Sequence, residues 1–257
     1  IAAIKQGGKG LEVSFESETP SVPVDFLVDT RPPIRSSSCC IQQFVGLYVN
    51  IAPAEIGLNK PLIMDYGPRG TKEENLAFIY ALPLSNNRVL IEATMFDVKV
   101  RDENFFLRNI EAWWALRTDK NLEGKIESKE SGILPMGKIK PLFKSENSFG
   151  AAGGATRPAT GYTLLGIERQ LRLTDLWTIG GGIPSFEFSK LSQFMDAKFL
   201  KVLRNEPGSM RGIFHEMAIG LTGDEFAAFL SDKFNLKIAA KIIYKMPKLL
   251  FLRNLFR

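Results

Sequence analysis

The first hundred residues alternate between apolar and polar positions in a way that is typical of β-strands. The clearest pattern is the stretch 78–96, in which two apolar, β-favouring runs flank Ser85-Asn86-Asn87, three residues that tolerate turn conformations. It predicts a β-hairpin or a strand pair with a short loop. Shorter strand-like runs precede it at 11–15, 24–28, 42–49 and 61–66. Together these patterns predict a mostly antiparallel sheet through about residue 100.

Apolar residues recur every three or four positions after residue 100, which predicts helices. The spacing is found in the stretches 102–122, 186–203, 210–230 and the first part of 236–257. In the third stretch, Thr222-Gly223-Asp224-Glu225 is a helix start signal. In the last one, Pro247 limits any continuous helix to the part before it.

The helix predicted at 102–122 carries aromatic residues along one stripe. Such a stripe usually packs into the core. The alternative is functional, because aromatic faces can line a tunnel for a long hydrocarbon and stabilise a passing carbocation through their ring quadrupoles. The four candidates for substrate contact are Phe105, Phe106, Trp113 and Trp114.

Length and composition are those of an ordinary globular protein. The 257 residues are 45% hydrophobic and 24% charged, enough to bury a substantial core in one large domain or two smaller ones. The chain starts at Ile1 within strand-like sequence, which suggests a fragment or a processed chain. It has no basic-then-apolar leader that would indicate secretion, and no apolar run long enough to cross a bilayer.

Two cysteines and one histidine give no credible metal site. Cys39 and Cys40 are adjacent and cannot form an unstrained disulfide with each other, which favours two free thiols in a reducing compartment. His215 lies between Phe214 and Glu216, and we interpret it as a structural or surface residue.

The net charge of +5 is concentrated in the segment 236–257, which has basic residues and no acidic one. Lys237, Lys241 and Lys245 are four apart and would share one face of a helix. A basic amphipathic segment predicts contact with an anionic membrane surface; the alternative is a helix that packs on the domain with its lysines in water. Nucleic-acid binding is poorly supported, because the basic residues lack interleaved exposed aromatics on a recognisable module.

One carboxylate, Glu92, lies near the end of the second apolar run of 78–96, close to Ile91, Met95 and Phe96. An ionised glutamate resists burial, so desolvation would raise the pKa of Glu92 and let it hold and donate a proton near neutral pH. The alternative is that Glu92 lies on the solvent face of a half-exposed strand.

The segment 149–163 carries the clearest cofactor-type signal: a turn of glycines and alanines, a proline, and then Thr160-Gly161-Tyr162 before a helical run. Small residues let a backbone lie against a flat ligand. A helix beginning near Gly161 would direct free N–H groups and its positive dipole end toward an anion or a reduced flavin ring. The alternative is a helix N-terminus that flexible glycines approach.

Several of these motifs resemble those of the flavin-dependent lycopene cyclases of carotenoid synthesis. The residues Leu90-Ile91-Glu92-Ala93-Thr94 are similar to that family's core motif of two apolar residues, Glu, a second acid and Thr. Ala93 stands in place of the second acid, which would help to keep one proton in the pair. The resemblance runs in order from Asp29 to about Lys248. It includes the block 130–136, with Glu, Gly, Pro and Met in matching positions, and the loop Gly-Gly-x-x-x-Pro-x-Thr-Gly-Tyr.

The resemblance implies roles for particular residues. Glu92 would be the acid–base residue. Substrate contacts would come from the aromatic helix at 102–122 and from Pro135 and Met136. The residues that would contact the cofactor are Asp29, Gly150, Gly153, Gly154, Pro158, Thr160, Gly161 and Tyr162.

The implied fold is α/β (α+β), an FAD/NAD(P)-binding flavoprotein of the aromatic-hydroxylase type with a mixed antiparallel sheet followed by a helical C-terminal region. The family's N-terminal Gly-x-Gly-x-x-Gly Rossmann portion has no counterpart here, so the chain resembles the C-terminal two-thirds of such an enzyme. The expected divisions are the end of the dinucleotide-binding domain, a substrate and catalytic sheet domain, a flavin-contacting loop and helix, and a helical region with a basic tail, at 1–40, 41–140, 141–175 and 176–257.

The implied activity is proton-initiated cyclisation of the ends of lycopene to β-ionone rings, which gives γ- and β-carotene. In the family, reduced FAD takes part without net redox change, and NADPH keeps it reduced. The implied location is the cytoplasm, in peripheral association with the membrane. Two other classes stay open: a related FAD-dependent isoprenoid reductase or monooxygenase, for which Glu92 would be expendable, and a non-catalytic membrane-associated fragment.

Overall fold

The computed structural model describes residues 3–7, 10–14, 20–31, 40–66, 77–137, 148–173 and 187–255. The chain divides into two compact units. The first unit comprises Ile1–Arg35, Lys138–Arg157 and Tyr162–Phe188, and the second comprises Ser36–Gly137, Pro158–Gly161 and Ser189–Arg257. Cys39 and the last two residues of the basic tail lie outside the described ranges.

In its described residues, the first unit contains a three-stranded antiparallel sheet and one helix. The strands pair in the order β1 (Ala3–Gly7), β2 (Gly10–Ser14) and β3 (Val22–Val24). The strand predicted at 24–28 is wrong, since β3 ends at Val24 and the side chains of Phe26 and Val28 are exposed.

The second unit is built on a five-stranded antiparallel sheet in which the order is β5-β6-β7-β4-β8. Strands β6 and β7 form the hairpin predicted for 78–96, with the turn at Asn86-Asn87. Strand β4 lies between β7 and β8, which brings three separate parts of the chain side by side. The strands are β4 (Cys40–Asn50), β5 (Leu62–Asp65), β6 (Ala77–Ser85), β7 (Arg88–Asp97) and β8 (Ile126–Met136).

Helix α1 (Glu103–Ala115) covers one face of this sheet. Asp102 caps the helix by accepting a hydrogen bond from the backbone N–H of Asn104. The helix was predicted to reach residue 122 but ends at Ala115, where the indole of Trp114 donates to the carbonyl of Lys120 in the returning chain. Every second residue of β7 packs with α1 in the first core of the unit: Val89, Ile91, Ala93 and Met95.

The opposite face of the sheet packs at one end against the C-terminal helices. A second core joins their buried side chains to Phe78 and Phe96 of the hairpin. Thr222 and Glu225 form the capping box that begins the helix predicted there. The helices are α2 (Leu164–Leu173) of the first unit and α3 (Lys190–Asn205), α4 (Met210–Gly220), α5 (Gly223–Leu230), α6 (Leu236–Lys245) and α7 (Lys248–Leu255) of the second.

The predicted order of a mainly antiparallel sheet followed by helices is confirmed. Pro247 separates α6 from α7, as expected from its position. Within the described ranges, none of the helices has the length and apolar character needed to span a membrane.

Candidate active site

Glu92 lies on β7 in the middle of the sheet of the second unit. It is opposite Tyr80 of β6 on one side and Gly46 of β4 on the other, and Gly46 is in turn opposite Glu130 of β8. Residues directly opposite one another in antiparallel strands project to the same face. Tyr80, Glu92 and Glu130 therefore share the face that points away from α1.

Gly46 is the residue that lets two carboxylates share this face. A Cβ at position 46 would lie 3.1 Å from Glu130 Cγ, 3.2 Å from Glu130 Oε1 and 3.1 Å from Leu90 Cδ1. The side chain of Glu130 thus leans over the space that a larger residue would fill. Gly46 lies between Glu92 and Glu130 in this row. The side chain of Glu130 therefore extends over Gly46 toward the strand of Glu92.

The carboxyl of Glu92 is partly buried and is bound by Thr94. Thr94 Oγ1 donates a hydrogen bond to Glu92 Oε1 at 2.5 Å. Burial raises the pKa of Glu92, the hydrogen bond from Thr94 opposes this, and the negative charge of Glu130 adds to the rise. The net result is a raised pKa, so Glu92 keeps its proton to higher pH than an ordinary glutamate.

Glu130 is held from its other side. Tyr48 Oη donates to Glu130 Oε2 at 3.0 Å, and this hydrogen bond raises the pKa of Tyr48. The guanidinium of Arg88 lies 4.9 Å from the centre of the Tyr48 ring and forms an ion pair of 2.8 Å with Glu127. The phenol of Tyr48 therefore fixes one oxygen of Glu130 and leaves the other above Gly46.

Apolar side chains surround the two carboxyls on this face. One is Leu90 of β7, and the others lie opposite Thr94, Glu92 and Leu90 in the strand pairing, so alternation places them all on the same side of the sheet. Each is only partly buried: Phe44, Tyr80, Leu82 and Leu90. This part of the sheet face can accept an apolar ligand against a proton-holding carboxyl.

The four aromatic residues of α1 lie on the other side of the sheet. Phe105, Phe106, Trp113 and Trp114 all belong to the core between α1 and the sheet. The sheet itself therefore separates them from Glu92. These four side chains are therefore not close to the carboxyl of Glu92. They pack in the hydrophobic core, as the side chains of an aromatic stripe usually do.

Pro135 and Met136 lie on opposite faces of β8. Met136 is opposite Cys40 and is buried in the second core with the C-terminal helices. Pro135 is opposite Ile41 and is partly buried. Met136 thus shares the face of Glu92 and Glu130 but lies at the end that the helices cover.

The glycine-rich turn of the first unit closes on itself and on α2. The backbone N–H of Gly150 donates to Gln170 Oε1 at 2.9 Å, and that of Ala155 donates to the carbonyl of Gly150 at 2.9 Å. Gly150 and Gly154 have φ angles of 67° and 84°, in the left-handed region. A Cβ at Gly153 would lie 2.4 Å from the carbonyl oxygen of Ser148. The turn itself requires these glycines.

Pro158, Thr160 and Gly161 belong to the second unit, where Gly161 lies against the sheet face that carries Glu92. Gly161 has a φ of 72°, and a Cβ on it would lie 2.3 Å from Gln42 Oε1. Gln42 is buried, and its Oε1 has no hydrogen-bond partner within the described part of the chain. Gln42 precedes Gly46 by four residues on β4, about 13 Å along the strand.

Asp29 and Tyr162 are in the first unit. Asp29 is buried, and its carboxylate accepts hydrogen bonds from Arg31 Nε at 2.9 Å and from the Arg31 terminal nitrogen at 2.8 Å. These bonds to Arg31 lower the pKa of Asp29. The Asp29 carbonyl accepts from the N–H of Phe149 at 2.9 Å. Asp29 thus ties the end of the small sheet to the start of the glycine-rich segment, whereas Tyr162 is exposed and its carbonyl accepts from the N–H of Arg157.

No group of three or more His, Cys, Asp or Glu side chains that could hold a metal ion occurs among the residues described. Cys40 is buried, and its thiol donates to the carbonyl of Leu200 at 3.7 Å.

Three residues of this arrangement were not singled out as site residues from the sequence: Gly46, Tyr48 and Gln42. Glu130 was noted only as part of the block 130–136. The signal that could have found them is the pairing of β4 with both β7 and β8, which the alternation pattern of a single strand does not contain.

Comparisons with known proteins point in one direction. A family model described as "Lycopene cyclase protein" matches residues 5–180. A lycopene beta-cyclase of Pseudescherichia vulneris is 30% identical over 147 residues, which are 52% of this chain and 36% of that protein. A lycopene beta-cyclase of Pantoea ananas is 24% identical over 246 residues, 86% of this chain and 61% of that protein. The chain therefore spans less than two thirds of either relative.

Solved structures give weaker likenesses. A geranylgeranyl bacteriochlorophyll reductase-like protein of Thermoplasma acidophilum has a TM-score of 0.48 and 9% identity, over 98% of this chain and 67% of that one. A flavin-dependent halogenase of Brevundimonas sp. has a TM-score of 0.42 and 12% identity, over 93% of this chain and 48% of that one.

Proposed function

Because this chain belongs to the lycopene cyclase family, we propose that it contributes the acid–base site of an enzyme that cyclises the ends of lycopene to β-ionone rings. The observation that carries the proposal is Glu92 itself. It is a partly buried carboxyl with a raised pKa, and partly buried apolar side chains lie next to it on the same face of the sheet. A residue that protonates a hydrocarbon must hold its proton near neutral pH, and it must lie beside an apolar surface, because the substrate has no polar group to bind.

In the proposed reaction, the carboxyl of Glu92 gives its proton to the terminal alkene and leaves a tertiary carbocation. The nearby internal alkene attacks this cation, which forms the ring bond and moves the positive charge onto the ring. Loss of a neighbouring ring proton restores an alkene. One proton is gained and one is lost, so the product is an isomer of the substrate and no electrons are transferred.

The hydrocarbon would lie against the apolar side chains that share the face of Glu92. Phe44 and Tyr80 present aromatic faces there, and Leu82 and Leu90 extend the apolar surface. Aromatic rings attract a carbocation through their quadrupoles, and covering the face with substrate excludes the water that would trap the cation. We propose these residues as substrate contacts in place of the aromatic residues of α1.

Family membership implies FAD, and the second unit has residues that fit a flavin ring. Gly161 has no side chain where it meets Gln42, and Gln42 offers a buried acceptor oxygen that suits a ring N–H. Pro158, Thr160, Gly161 and Gln42 would hold the ring. When bound in reduced form, the flavin would supply an electron-rich ring that stabilises the cation or relays the proton, and NADPH would be its reductant.

The cofactor roles expected for residues of the first unit remain predictions. They concern the carboxylate that binds Arg31, the glycine-rich turn and the exposed tyrosine that follows it: Asp29, Gly150, Gly153, Gly154 and Tyr162.

We further propose that the protein works on the surface of a membrane, on its cytoplasmic side, where a carotenoid substrate dissolves. Exposed apolar residues follow one stripe of α6 and continue on α7: Leu236, Ile243, Tyr244, Leu249 and Leu252. Lys237, Lys245 and Lys248 are exposed beside them. Apolar side chains that enter the lipid and lysines at its anionic surface are the usual elements of such binding.

Pigment analysis tests the acid. The gene, with any upstream coding sequence, is expressed in a bacterium that accumulates lycopene. We expect γ- and β-carotene with Glu92 present and a loss of about 100-fold or more with Glu92→Gln, since general acid catalysis contributes about that factor. Glu111→Gln is the control, because Glu111 is exposed on α1 across the sheet.

Equal cyclisation by Glu92→Gln would contradict the proposal. A reduced or hydroxylated product from the unchanged protein would favour the reductase or monooxygenase instead.

A further inference from the structure

The core motif of this chain lacks the second acid that the resembling family has at position 93. Ala93 is fully buried, and its neighbours in the core are the apolar residues between the sheet and α1. Successive residues of a strand point to opposite faces, so a carboxylate at position 93 would face α1 and not Glu92. The neighbours of Glu92 on the same face of β7 are Leu90 and Thr94, which carry no carboxylate, so β7 itself offers no second acid next to Glu92.

Glu130 meets that requirement. It lies in the same row as Glu92, with only Gly46 between them. Its Oε1 is 3.2 Å from the place where a Cβ of Gly46 would be, and its Oε2 accepts a hydrogen bond from Tyr48 at 3.0 Å. A residue with a side chain at position 46 would close this approach, so the glycine and the tyrosine together define where the Glu130 carboxylate lies.

We propose that Glu130 is the positioning residue of Glu92: its carboxylate, fixed by Tyr48 above Gly46, keeps the proton on Glu92 until an alkene takes it. The proposal rests on the proposed function and adds a second residue to the same site. A negative charge near a partly buried carboxyl disfavours the ionised form of that carboxyl, so the carboxyl keeps its proton to higher pH. The negative charge on this face also favours the carbocation that protonation creates.

The other polar and charged groups on this face do not replace Glu130 in that role. Thr94 donates to Glu92 and therefore favours the ionised form. Tyr80 lies opposite Glu92 on β6, and Tyr48 donates to Glu130. Arg88 is paired with Glu127 and stacks near Tyr48. Burial is the main cause of the raised pKa of Glu92, and Glu130 is the neighbouring charge that adds to it.

A titration of Glu92 tests the coupling without any need for activity. The protein is labelled with 13C at the glutamate side-chain carboxyl carbon, and the resonance of Glu92 is assigned by its loss in Glu92→Gln. We expect Glu130→Gln to make Glu92 titrate at lower pH than in the unchanged protein. Glu111→Gln, which removes an equal charge from α1 across the sheet, should leave the titration where it was. An unchanged titration in Glu130→Gln overturns the proposal.

Tyr48→Phe provides a second variant that keeps the Glu130 charge and removes the hydroxyl that holds it. We expect a shift of Glu92 in the same direction and of smaller size. If Glu130→Gln does not fold, an unchanged Glu92 titration in Tyr48→Phe overturns the proposal by itself.

The pH dependence of cyclisation separates positioning from a structural role. Activity should fall as pH rises through the titration of Glu92, and in Glu130→Gln this fall should come at lower pH. The ratio of variant to unchanged activity should then drop several-fold from acid to alkaline pH. A uniform loss at every pH indicates a structural role and contradicts the proposal. If the unchanged protein cyclises nothing, the proposed function fails, while the titration still decides the coupling.

Discussion

Glu92 and Ala93 are neighbours in sequence but lie on opposite faces of the sheet. Strand alternation puts Ala93 in the core with α1 and leaves Glu92 on the far face with Phe44 and Tyr80. The sequence predicted that Glu92 is a strand carboxyl among apolar residues. It could not predict Glu130 beside it, because the two residues meet only through the pairing of β4 with β7 and β8.

The raised pKa of Glu92 has a consequence for stability. A carboxyl whose folded pKa lies above its unfolded value contributes stability that is full below the unfolded pKa and is lost as pH rises through the folded one. The ordinary value for glutamate is 4.5. Glutamine does not titrate, so Glu92→Gln should gain melting temperature relative to the unchanged protein as pH rises from about 4 to 8. Calorimetry at both pH values measures the melting temperature of Glu92→Gln minus that of the unchanged protein. If this difference decreases as pH rises, the pKa of Glu92 is not raised in the folded protein.

Gly161 allows a second test at a single residue. Gly161→Ala adds a Cβ 2.3 Å from Gln42 Oε1 at a φ of 72°, whereas Gly57→Ala adds one in open space at a φ of 65°. We expect Gly57→Ala to lower the free energy of unfolding by about 1 kcal/mol from backbone strain alone. Gly161→Ala should cost up to about 1 kcal/mol more, since its Cβ also meets the end of the buried Gln42 side chain, which has to move.

Urea denaturation gives both values. The double variant Gly161→Ala with Gln42→Ala should recover part of the excess, because it removes the atom that the new Cβ meets. Equal costs for Gly161→Ala and Gly57→Ala would mean that Gly161 does not lie against Gln42.

At the scale of elements, the hairpin and the later helices were predictable because each depends on a local pattern. The turn at Asn86-Asn87, the capping box at Thr222 and the break at Pro247 are all found where local chemistry put them. The strand at 24–28 and the far end of α1 were not, because tertiary contacts decide them. Phe26 has no strand to cover it in the described part of the chain, and Trp114 ends its helix by bonding to Lys120.

The contact of α2 with the glycine-rich turn gives a prediction at this scale. A Cβ at Gly166 of α2 would lie 1.9 Å from the carbonyl oxygen of Ala155. Gly166→Ala must therefore push the helix away from the turn, and we expect it to destabilise the protein by about 1–3 kcal/mol. Gly212→Ala on α4 is the matched control: a Cβ there has nothing within 4 Å, so alanine should stabilise its helix by about 0.5–1 kcal/mol.

Thermal unfolding followed by circular dichroism compares the two variants. Losses of equal sign and size would show that the turn and α2 are not in the close contact described above.

At the scale of the whole molecule, the position of the basic residues in the sequence did not predict which side of α6 is exposed. Lys237, Lys241 and Lys245 do share one face of α6, but Lys241 pairs with Glu225 of α5, and the methylenes of Lys245 lie near Gly220 of α4. The lysine face thus partly packs on the second unit, while Lys237 and Lys245 remain exposed beside an exposed apolar stripe. Sequence periodicity found the helix, and only the packing of α4 and α5 against it shows which stripe remains outside.

Membrane binding tests that surface. We expect the protein to sediment with vesicles that contain anionic phosphatidylglycerol and to bind phosphatidylcholine vesicles less. The variant Leu249→Ser with Leu252→Ser should bind about 100-fold more weakly or worse, because each leucine buried in lipid contributes about 1.5–3 kcal/mol. Leu164→Ser on α2 is the control, since Leu164 is 78% exposed but lies away from α6 and α7 in the chain. Equal loss in both variants would contradict a specific lipid surface.

The measurement that tests the account most directly is the mass of the product made from lycopene in heavy water. If the carboxyl of Glu92, in exchange with solvent, gives one proton to each end that cyclises, every ring formed carries one deuterium and the product is otherwise an isomer of lycopene. Glu92→Gln should form almost none of it. A cyclised product without deuterium, or equal deuterated product from Glu92→Gln, would contradict the assignment of Glu92 as the acid.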